Sequence, residues 1–375
     1  MKILIIEPYF TGSHKAWARE YAHYSSHDVK ILSLPGNFWK WRMHGGAITL
    51  ARKFLALDFK PDVLFVSDML NLPLFQSLTR RILPTIPTAI YFHENQITYP
   101  WSENDRDIEK NRDYHYGFIN IASAFVADRV FFNSRFHLDS FLSACKPFLK
   151  NFPDFQELEM IDVVSQKSAV LPLGLDLQRL NSGHEAALEL RKKFNLQVPV
   201  LLWNHRWEYD KNPQEFFEIL MALAKKGLDF KIVVLGENFQ QKPTIFDRAR
   251  EQLDHRILQW GYVETIEEYA QWLWLSDILP ITSHHDFFGA SVVEAAYCGV
   301  MPMLPRRLSY PEIFSGEDCF YDDTKDLFSK LEKMIRTFPP SDLLSMQNRI
   351  EKFDWRVMAN EYDKMVAIIR PQITD

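Results

Sequence analysis

Short, almost wholly apolar runs recur along this chain, each followed by a longer stretch whose apolar positions have helical spacing. Few folds tolerate that alternation. It is the pattern of parallel α/β sheets, whose strands are covered on both faces and so lose the inside–outside alternation of a half-exposed strand. In the first half the strand candidates are Ile3–Ile6, Val29–Leu32, Val63–Val66, Thr88–Phe92, Val130–Phe132 and Ala169–Leu171, with helical stretches such as Ala47–Leu57, Leu72–Leu83 and Tyr114–Ala127 between them. A turn at Leu173-Gly174-Leu175-Asp176 interrupts the series. It then restarts, with candidates at Val200–Trp203, Lys231–Leu235, Ile257–Gln259, Asp277–Ile281, Val300–Leu304 and Cys319–Tyr321. The spacing therefore predicts an α/β chain of two doubly wound, Rossmann-like domains facing a cleft, over 1–176 and 177–353. A terminal helical segment, 354–375, is expected to pack back on the first domain. Ligands in such folds sit at the carboxyl ends of strands.

Composition narrows the classes further. The 375 residues are 47% apolar and 25% charged, which excludes disordered and fibrous chains. The net charge of −6 excludes a generally basic nucleic-acid coat protein. Residues 1–176 carry equal numbers of acidic and basic side chains, but residues 1–60 hold nine basic against four acidic. That local excess is either a solvated face or an attraction for a polyanion. Three dispersed cysteines, Cys145, Cys298 and Cys319, form neither a disulfide framework nor a zinc pattern. Glu7 and Pro8 cut the N-terminal apolar stretch too short for a signal peptide, and no run reaches a membrane span. A soluble cytoplasmic protein is expected.

Two segments suggest chemistry. In His284-His285-Asp286-Phe287-Phe288-Gly289-Ala290-Ser291-Val292-Val293-Glu294 a strand gives way to a Gly turn and a helix. The helix N-terminus at Gly289 and Ala290 suits a phosphate, and Glu294 lies one to two turns inside. Two carboxylates eight residues apart are commonly structural, but this strand–loop–helix context favours a site. In Asn204-His205-Arg206-Trp207-Glu208-Tyr209-Asp210-Lys211-Asn212-Pro213, again after a strand, Arg206 and Lys211 can grip a diphosphate. Adjacent histidines on an extended loop point opposite ways, so His284 and His285 do not make a metal pair. No metal or other cofactor is expected.

Together these segments resemble glycosyltransferase family 4. Arg206 and Lys211 match its Arg-x4-Lys pair, and Asp286-x7-Glu294 resembles its Glu-x7-Glu motif with Asp in the first place. The resemblance implies a GT-B fold with a C-terminal crossover helix, a nucleotide-sugar donor and retention of anomeric configuration. It implies donor contacts from Arg206, Lys211, Gly261, Tyr262, Asp286, Phe288, Gly289, Ala290 and Glu294. Phe353-Asp354-Trp355 resembles the signature before the crossover helix.

The first half carries a narrower resemblance. Glu7-Pro8-Tyr9-Phe10-Thr11-Gly12-Ser13-His14, Trp39-Lys40-Trp41-Arg42, Tyr91-Phe92-His93-Glu94-Asn95-Gln96, Asp113-Tyr114-His115-Tyr116-Gly117 and Phe131-Phe132-Asn133-Ser134 are similar to the tRNA-queuosine mannosyltransferase family. That implies GDP-mannose as donor and queuosine at the wobble position of a tRNA, of the tRNA-Asp type, as acceptor. His93 would then meet the donor sugar and count among the catalytic groups with Asp286, Arg206 and Lys211. Gly12, Ser13, His14, Trp39, Trp41, Arg42, Glu94 and Asn95 would serve the acceptor side. RNA loops are read by aromatic stacking and phosphate contacts, and Trp39-Lys40-Trp41-Arg42 supplies both, unless its tryptophans pack under the sheet.

Two other readings stay open. A related transferase acting on a lipid, polysaccharide or small molecule would usually show a basic amphipathic helix, which is not evident. A non-catalytic sugar-nucleotide or RNA-binding module would be expected to lack Arg206, Lys211 or Glu294. A nicotinamide dehydrogenase needs Gly-x-Gly-x-x-Gly, and Gly12 stands alone. No membrane or protein partner is indicated.

Overall fold

The computed structural model describes residues 1–81, 86–100, 115–237, 243–314, 316–338 and 344–370. Asp113, Tyr114 and the end of the helix expected to reach Leu83 lie outside them. The chain divides into two compact units, one of Met1–Gly174 with Trp355–Asp375 and one of Leu175–Asp354.

The first unit is built on a parallel sheet of β1 (Lys2–Phe10), β2 (Asp28–Pro35), β3 (Val63–Ser67), β4 (Thr88–Phe92), β5 (Arg129–Phe132) and β6 (Ser168–Val170), in the order β2-β1-β3-β4-β5-β6. The second has β7 (Val200–Trp203), β8 (Lys231–Val234), β9 (Ile257–Trp260), β10 (Ile278–Pro280), β11 (Met301–Pro305) and β12 (Phe320–Tyr321), in the order β12-β11-β10-β7-β8-β9. Every apolar run expected to be a strand is one, within a residue or a few at each end. The physical cause is visible in the burial: Ile3–Ile6 and Val200–Trp203 are wholly inaccessible, helices covering both faces. β1 and β2 extend further than expected, because Glu7, Tyr9 and Phe10 continue the ladder past the apolar run, with a register shift between Glu7 and Phe10.

In each sheet the order reverses beside a central strand, β1 in the first and β7 in the second. The carboxyl ends of these strands are the places where such sheets bind ligands. No helix among the described residues is long and apolar enough to cross a membrane.

The returning helix Trp355–Ala367 belongs to the first unit. Its Trp355 stacks on Tyr21 at 5.8 Å and donates its Nε1–H to Glu20 Oε2 at 2.8 Å. Asp363 accepts from the Tyr21 hydroxyl (3.0 Å), the Ser25 hydroxyl (2.6 Å), and both the backbone N–H (2.9 Å) and hydroxyl (2.7 Å) of Ser26. Gly174 is where the strand-end turn passes under this helix. A Cβ there would stand 2.4 Å from the Trp355 ring, so no larger residue fits.

Candidate functional site

In the second unit, the loops leaving β7 and β10 converge. Asn212 takes the left-handed conformation (φ 51°) and caps the helix Pro213–Lys225, whose first residue is a proline, as the Asn-Pro pair leads one to expect. This fixes the preceding turn Tyr209–Lys211. Thr282, on the loop after β10, donates its hydroxyl to the carbonyls of Lys211 (3.1 Å) and Asn212 (2.9 Å) and ties the loops together. The Lys211 ammonium donates to the His285 carbonyl at 2.9 Å, and lies 3.3 Å from Asp210 Oδ2 and 3.6 Å from Asp286 Oδ2. Asp286 Oδ2 also accepts from the Tyr310 hydroxyl at 3.2 Å.

One buried cation held by two carboxylates sets the electrostatics. Burial is the largest single effect and would raise the Asp286 pKa, but Lys211, His205, His285 and the Phe288 N–H together hold the carboxyl below its usual range. Burial works against the charged Lys211 too, and Asp286 and Asp210 together push its pKa up. Burial and the same ammonium depress both His205 and His285 to about 4, so both rings are neutral near pH 7. His205 Nδ1 meets the Ser291 hydroxyl at 3.1 Å, and Asn204 donates to the Ser291 carbonyl at 2.7 Å; these contacts pin the start of the helix Ala290–Tyr297. Gly289 precedes that helix at φ 85°, a conformation that disfavours any side chain. Arg206 is half-exposed and pairs with Glu208 at 3.1 Å.

Inside the helix, Glu294 is held at both oxygens. Arg179 donates to Oε1 at 2.8 Å and the Tyr269 hydroxyl to Oε2 at 2.9 Å. A phosphate-attracting helix start, a buried lysine and a carboxylate oriented about one turn inside the helix can bind a nucleoside diphosphate and its sugar.

The first unit gathers a different set. Glu7 on β1 accepts from the Tyr9 N–H at 2.8 Å and contacts His14 Nδ1 at 3.0 Å. His93, just past β4, donates its backbone N–H to Asp68 Oδ1 at 2.9 Å, and its ring lies 4.2 Å from that of His14. Burial lowers the pKa of His14, but Glu7, with Asp68 and Glu94, raises it to about 9. Burial and the neighbouring His14 charge keep His93 well below its usual value. Burial lifts Asp68 to about 8.

Comparison with known proteins decides what this pair of sites belongs to. Residues 2–175 match the family described as tRNA-queuosine alpha-mannosyltransferase N-terminal, and residues 188–335 match glycosyl transferases group 1. The chain is 37% identical over 336 residues to the tRNA-queuosine alpha-mannosyltransferase of Drosophila melanogaster, covering 89% of this chain and 87% of that protein. This chain belongs to the tRNA-queuosine alpha-mannosyltransferase family. It is a glycosyltransferase. A GDP-mannose-dependent alpha-(1-6)-phosphatidylinositol dimannoside mannosyltransferase of Mycobacterium tuberculosis is 23% identical over 164 residues, covering 44% of this chain and 42% of that protein. A solved glycosyltransferase from Rickettsia africae aligns at a TM-score of 0.68 with 16% identity, covering 97% of each chain, and shows the fold to be GT-B.

In this member of the tRNA-queuosine alpha-mannosyltransferase family, Lys211, Asp286, Gly289 and Ala290 come together around one helix start, and Glu294 stands inside that helix. Gly261 (φ 115°) follows β9 and donates its N–H to the Val234 carbonyl at 2.8 Å, leaving Tyr262 largely exposed. The Phe288 side chain is buried edge-on against Phe353, and its backbone N–H donates to Asp286. Asn95, expected on the acceptor side, is placed inside the turn after β4. It is fully buried, and its amide is engaged by the Ile97 and Thr98 N–H groups and the Thr98 hydroxyl, so it builds the turn after β4. Glu94 accepts from Gln96 at 2.9 Å.

Gly12 and Ser13 are exposed at the start of the helix Gly12–Tyr24. The two tryptophans of Trp39-Lys40-Trp41-Arg42 part company. Trp39 is half-buried against Tyr116 at 5.2 Å, whereas Trp41 is 62% exposed with its ring over Gly45 one turn on. Arg42 donates to the Pro35 carbonyl at 3.0 Å.

Sequence reasoning missed Arg179, Tyr269, Tyr310 and Asp210 on the donor side, and Glu7 and Asp68 in the first unit. It also missed Gly236 (φ 110°), where a Cβ would lie 1.9 Å from the His205 carbonyl. A glycine directly after an apolar run was the available signal for the last. The others are ordinary surface-type residues with no distinctive spacing.

Proposed function

We propose that this enzyme transfers mannose from GDP-mannose to queuosine in tRNA, of the tRNA-Asp type, with retention. The acceptor rests on the name of the Drosophila relative and on the exposed Trp41 in a basic segment. The donor rests on the GDP-mannose dependence of the mycobacterial relative. The observation that carries the chemistry is the Lys211 ammonium, buried at the loop that opens the helix Ala290–Tyr297.

The leaving group is a diphosphate, so most of the catalysis is stabilisation of the negative charge that develops on it. Lys211, Arg206 and the helix start supply that positive field, and this step needs no metal. Asp286 orients the mannose hydroxyls, and Glu294 accepts from the ribose hydroxyls of the nucleotide. Tyr262 lies against the base. Attack comes from the face the diphosphate leaves, and a departing phosphate oxygen takes the proton of the acceptor hydroxyl.

The test incubates the purified chain with GDP-mannose and queuosine-containing tRNA and reads the nucleoside masses. A hexose added to queuosine is expected. GDP binding with no addition would refute the acceptor assignment and keep the donor site; addition from UDP-glucose in preference to GDP-mannose would refute the donor.

A further inference from the structure

We propose that Glu7, His14 and His93 form a binding site for one divalent cation of the zinc class. A carboxylate oxygen of Glu7 and one ring nitrogen from each histidine all lie within 4.8 Å of one another. The three residues are 0%, 6% and 8% exposed. They do not meet by local spacing. Glu7 is on β1, His14 is in the helix that follows, and His93 lies beyond β4, two strands away in the sheet order β1-β3-β4. Asp68, at the end of the intervening β3, backs the cluster through the His93 N–H.

Two buried atoms in this cluster make no hydrogen bond: His93 Nε2 and Asp68 Oδ2. Buried polar atoms are normally satisfied, so an unpartnered nitrogen and an unpartnered carboxylate oxygen on two residues of one cluster point to a missing group. Glu7 and Asp68 are both wholly buried carboxylates, and among the described residues His14 is the basic side chain paired with Glu7. Imidazole nitrogens and carboxylate oxygens converging in one buried place are the donor atoms that a metal cation takes.

The donor set selects the kind of cation. Two imidazoles and a carboxylate suit Zn²⁺ and its near neighbours, whereas Mg²⁺ and Ca²⁺ prefer oxygen ligands. Three protein ligands leave a position open for water or a hydroxyl. Metal-bound histidines take their orientation from groups behind them, and here the His93 ring is walled by Trp17 and Tyr91, each 4.9 Å away. On binding, the cation takes the place of the proton between Glu7 and His14, and that proton leaves to solvent.

This inference does not depend on which sugar or acceptor the enzyme uses, and its test reads the metal rather than turnover. The untagged full chain is stripped with a chelator, equilibrated with micromolar Zn²⁺, desalted and analysed for metal per chain. Co²⁺ is substituted in parallel to read the d–d absorption of a nitrogen–oxygen site. One equivalent of zinc is expected in the wild type. Glu7→Gln, His14→Gln and His93→Gln should each weaken binding by more than the roughly ten- to hundred-fold that loss of a supporting group costs. The exposed pair His44 and His115, whose Nε2 atoms lie 2.5 Å apart, is the control site, so His44→Ala should retain the zinc. A wild type that holds no zinc overturns the proposal, and so does zinc lost only with His44→Ala. Circular dichroism identifies any variant that fails to fold, and the wild type and the remaining variants then decide.

Discussion

Glu294 and Tyr269 are joined by a 2.9 Å hydrogen bond between helices, so the carboxylate inside the site helix is aimed by a hydroxyl from outside it. The phenol carries no charge near neutral pH, since burial and then Glu294 push its pKa well up. Tyr269→Phe removes one donor and leaves the ring. The expected result is a rise of about three- to ten-fold in the KM for the nucleotide sugar, with kcat little changed, as befits one hydrogen bond of about 1 kcal/mol. Initial rates with the donor varied at saturating acceptor check it; an equal fall in kcat would refute a role confined to aiming Glu294.

Lys211 sits between Asp210 and Asp286, so removing it has two effects. Lys211→Ala should lower turnover by about two to three orders of magnitude through loss of charge stabilisation. It should also lower the melting temperature, because two carboxylates with little access to water lose their counter-charge. Turnover measured well below the transition, with circular dichroism confirming the fold, separates the two. Near-normal turnover would exclude the assigned role.

Asp286 gives the pH dependence. Burial pushes its pKa up, but Lys211, with His205, His285 and the Phe288 N–H, brings it below the usual carboxylate value, so it stays ionised in mildly acidic solution. In Lys211→Ala that pull is gone and burial raises the pKa. The acidic limb of the kcat/KM profile should therefore move to higher pH than in the wild type. A profile that keeps its acidic limb in place would show that another group controls it.

Trp41→Ala tests the acceptor platform. The ring is largely exposed, so its loss should leave the melting temperature and GDP affinity unchanged. If one base stacks on it, at about 1–3 kcal/mol, the KM for tRNA rises about five- to hundred-fold. Calorimetry with GDP and kinetics with tRNA read the two sides separately, and an equal loss of both would count against the platform.

Asp363 tests what holds the returning helix. Burial opposes its charge, but the Ser25 and Ser26 hydroxyls, the Ser26 N–H and the Tyr21 hydroxyl lower its pKa overall. A depressed carboxyl stabilises the fold above its unfolded value, about 3.9, and that contribution disappears as pH falls through the folded value. Asp363→Asn should thus cost about 1–3 kcal/mol at pH 7, and the gap in melting temperature should narrow below about pH 4. An unchanged gap would mean that the lost bonds, rather than the charge, carry the effect.

The sheets were readable because a strand buried on both faces must be apolar throughout, and nothing else in a chain with this composition produces such runs. Lys211, Asp286 and Glu294 stand out in the sequence because each lies on the loop or helix that follows a strand. Arg179 and Tyr269 do not: they reach Glu294 from 115 and 25 residues away, and only the fold creates that proximity. Glu7 was hidden for the opposite reason. It interrupts an apolar run and looks like a strand terminator, yet the strand continues through it and buries the carboxylate. Asn95 and Phe288 lie inside conspicuous motifs, but one folds its amide into a turn and the other its ring into the core. Motif membership alone could not distinguish a residue that shapes a loop from one that meets a ligand.

The helix that closes the first unit is encoded some 180 residues after the sheet it covers. On the ribosome, the sheet and the entire second unit emerge before Trp355 does. Through that interval the ring of Tyr21 keeps its contact with Phe65 but lacks those with Trp355 and Tyr362, and Gly174 lacks the Trp355 ring above it. The nascent chain therefore carries a partly open aromatic seam until Trp355 is made, and a message truncated before that codon would yield a product with the second unit but an unsealed first one. Such a product is a natural client for chaperones and an early target for proteolysis.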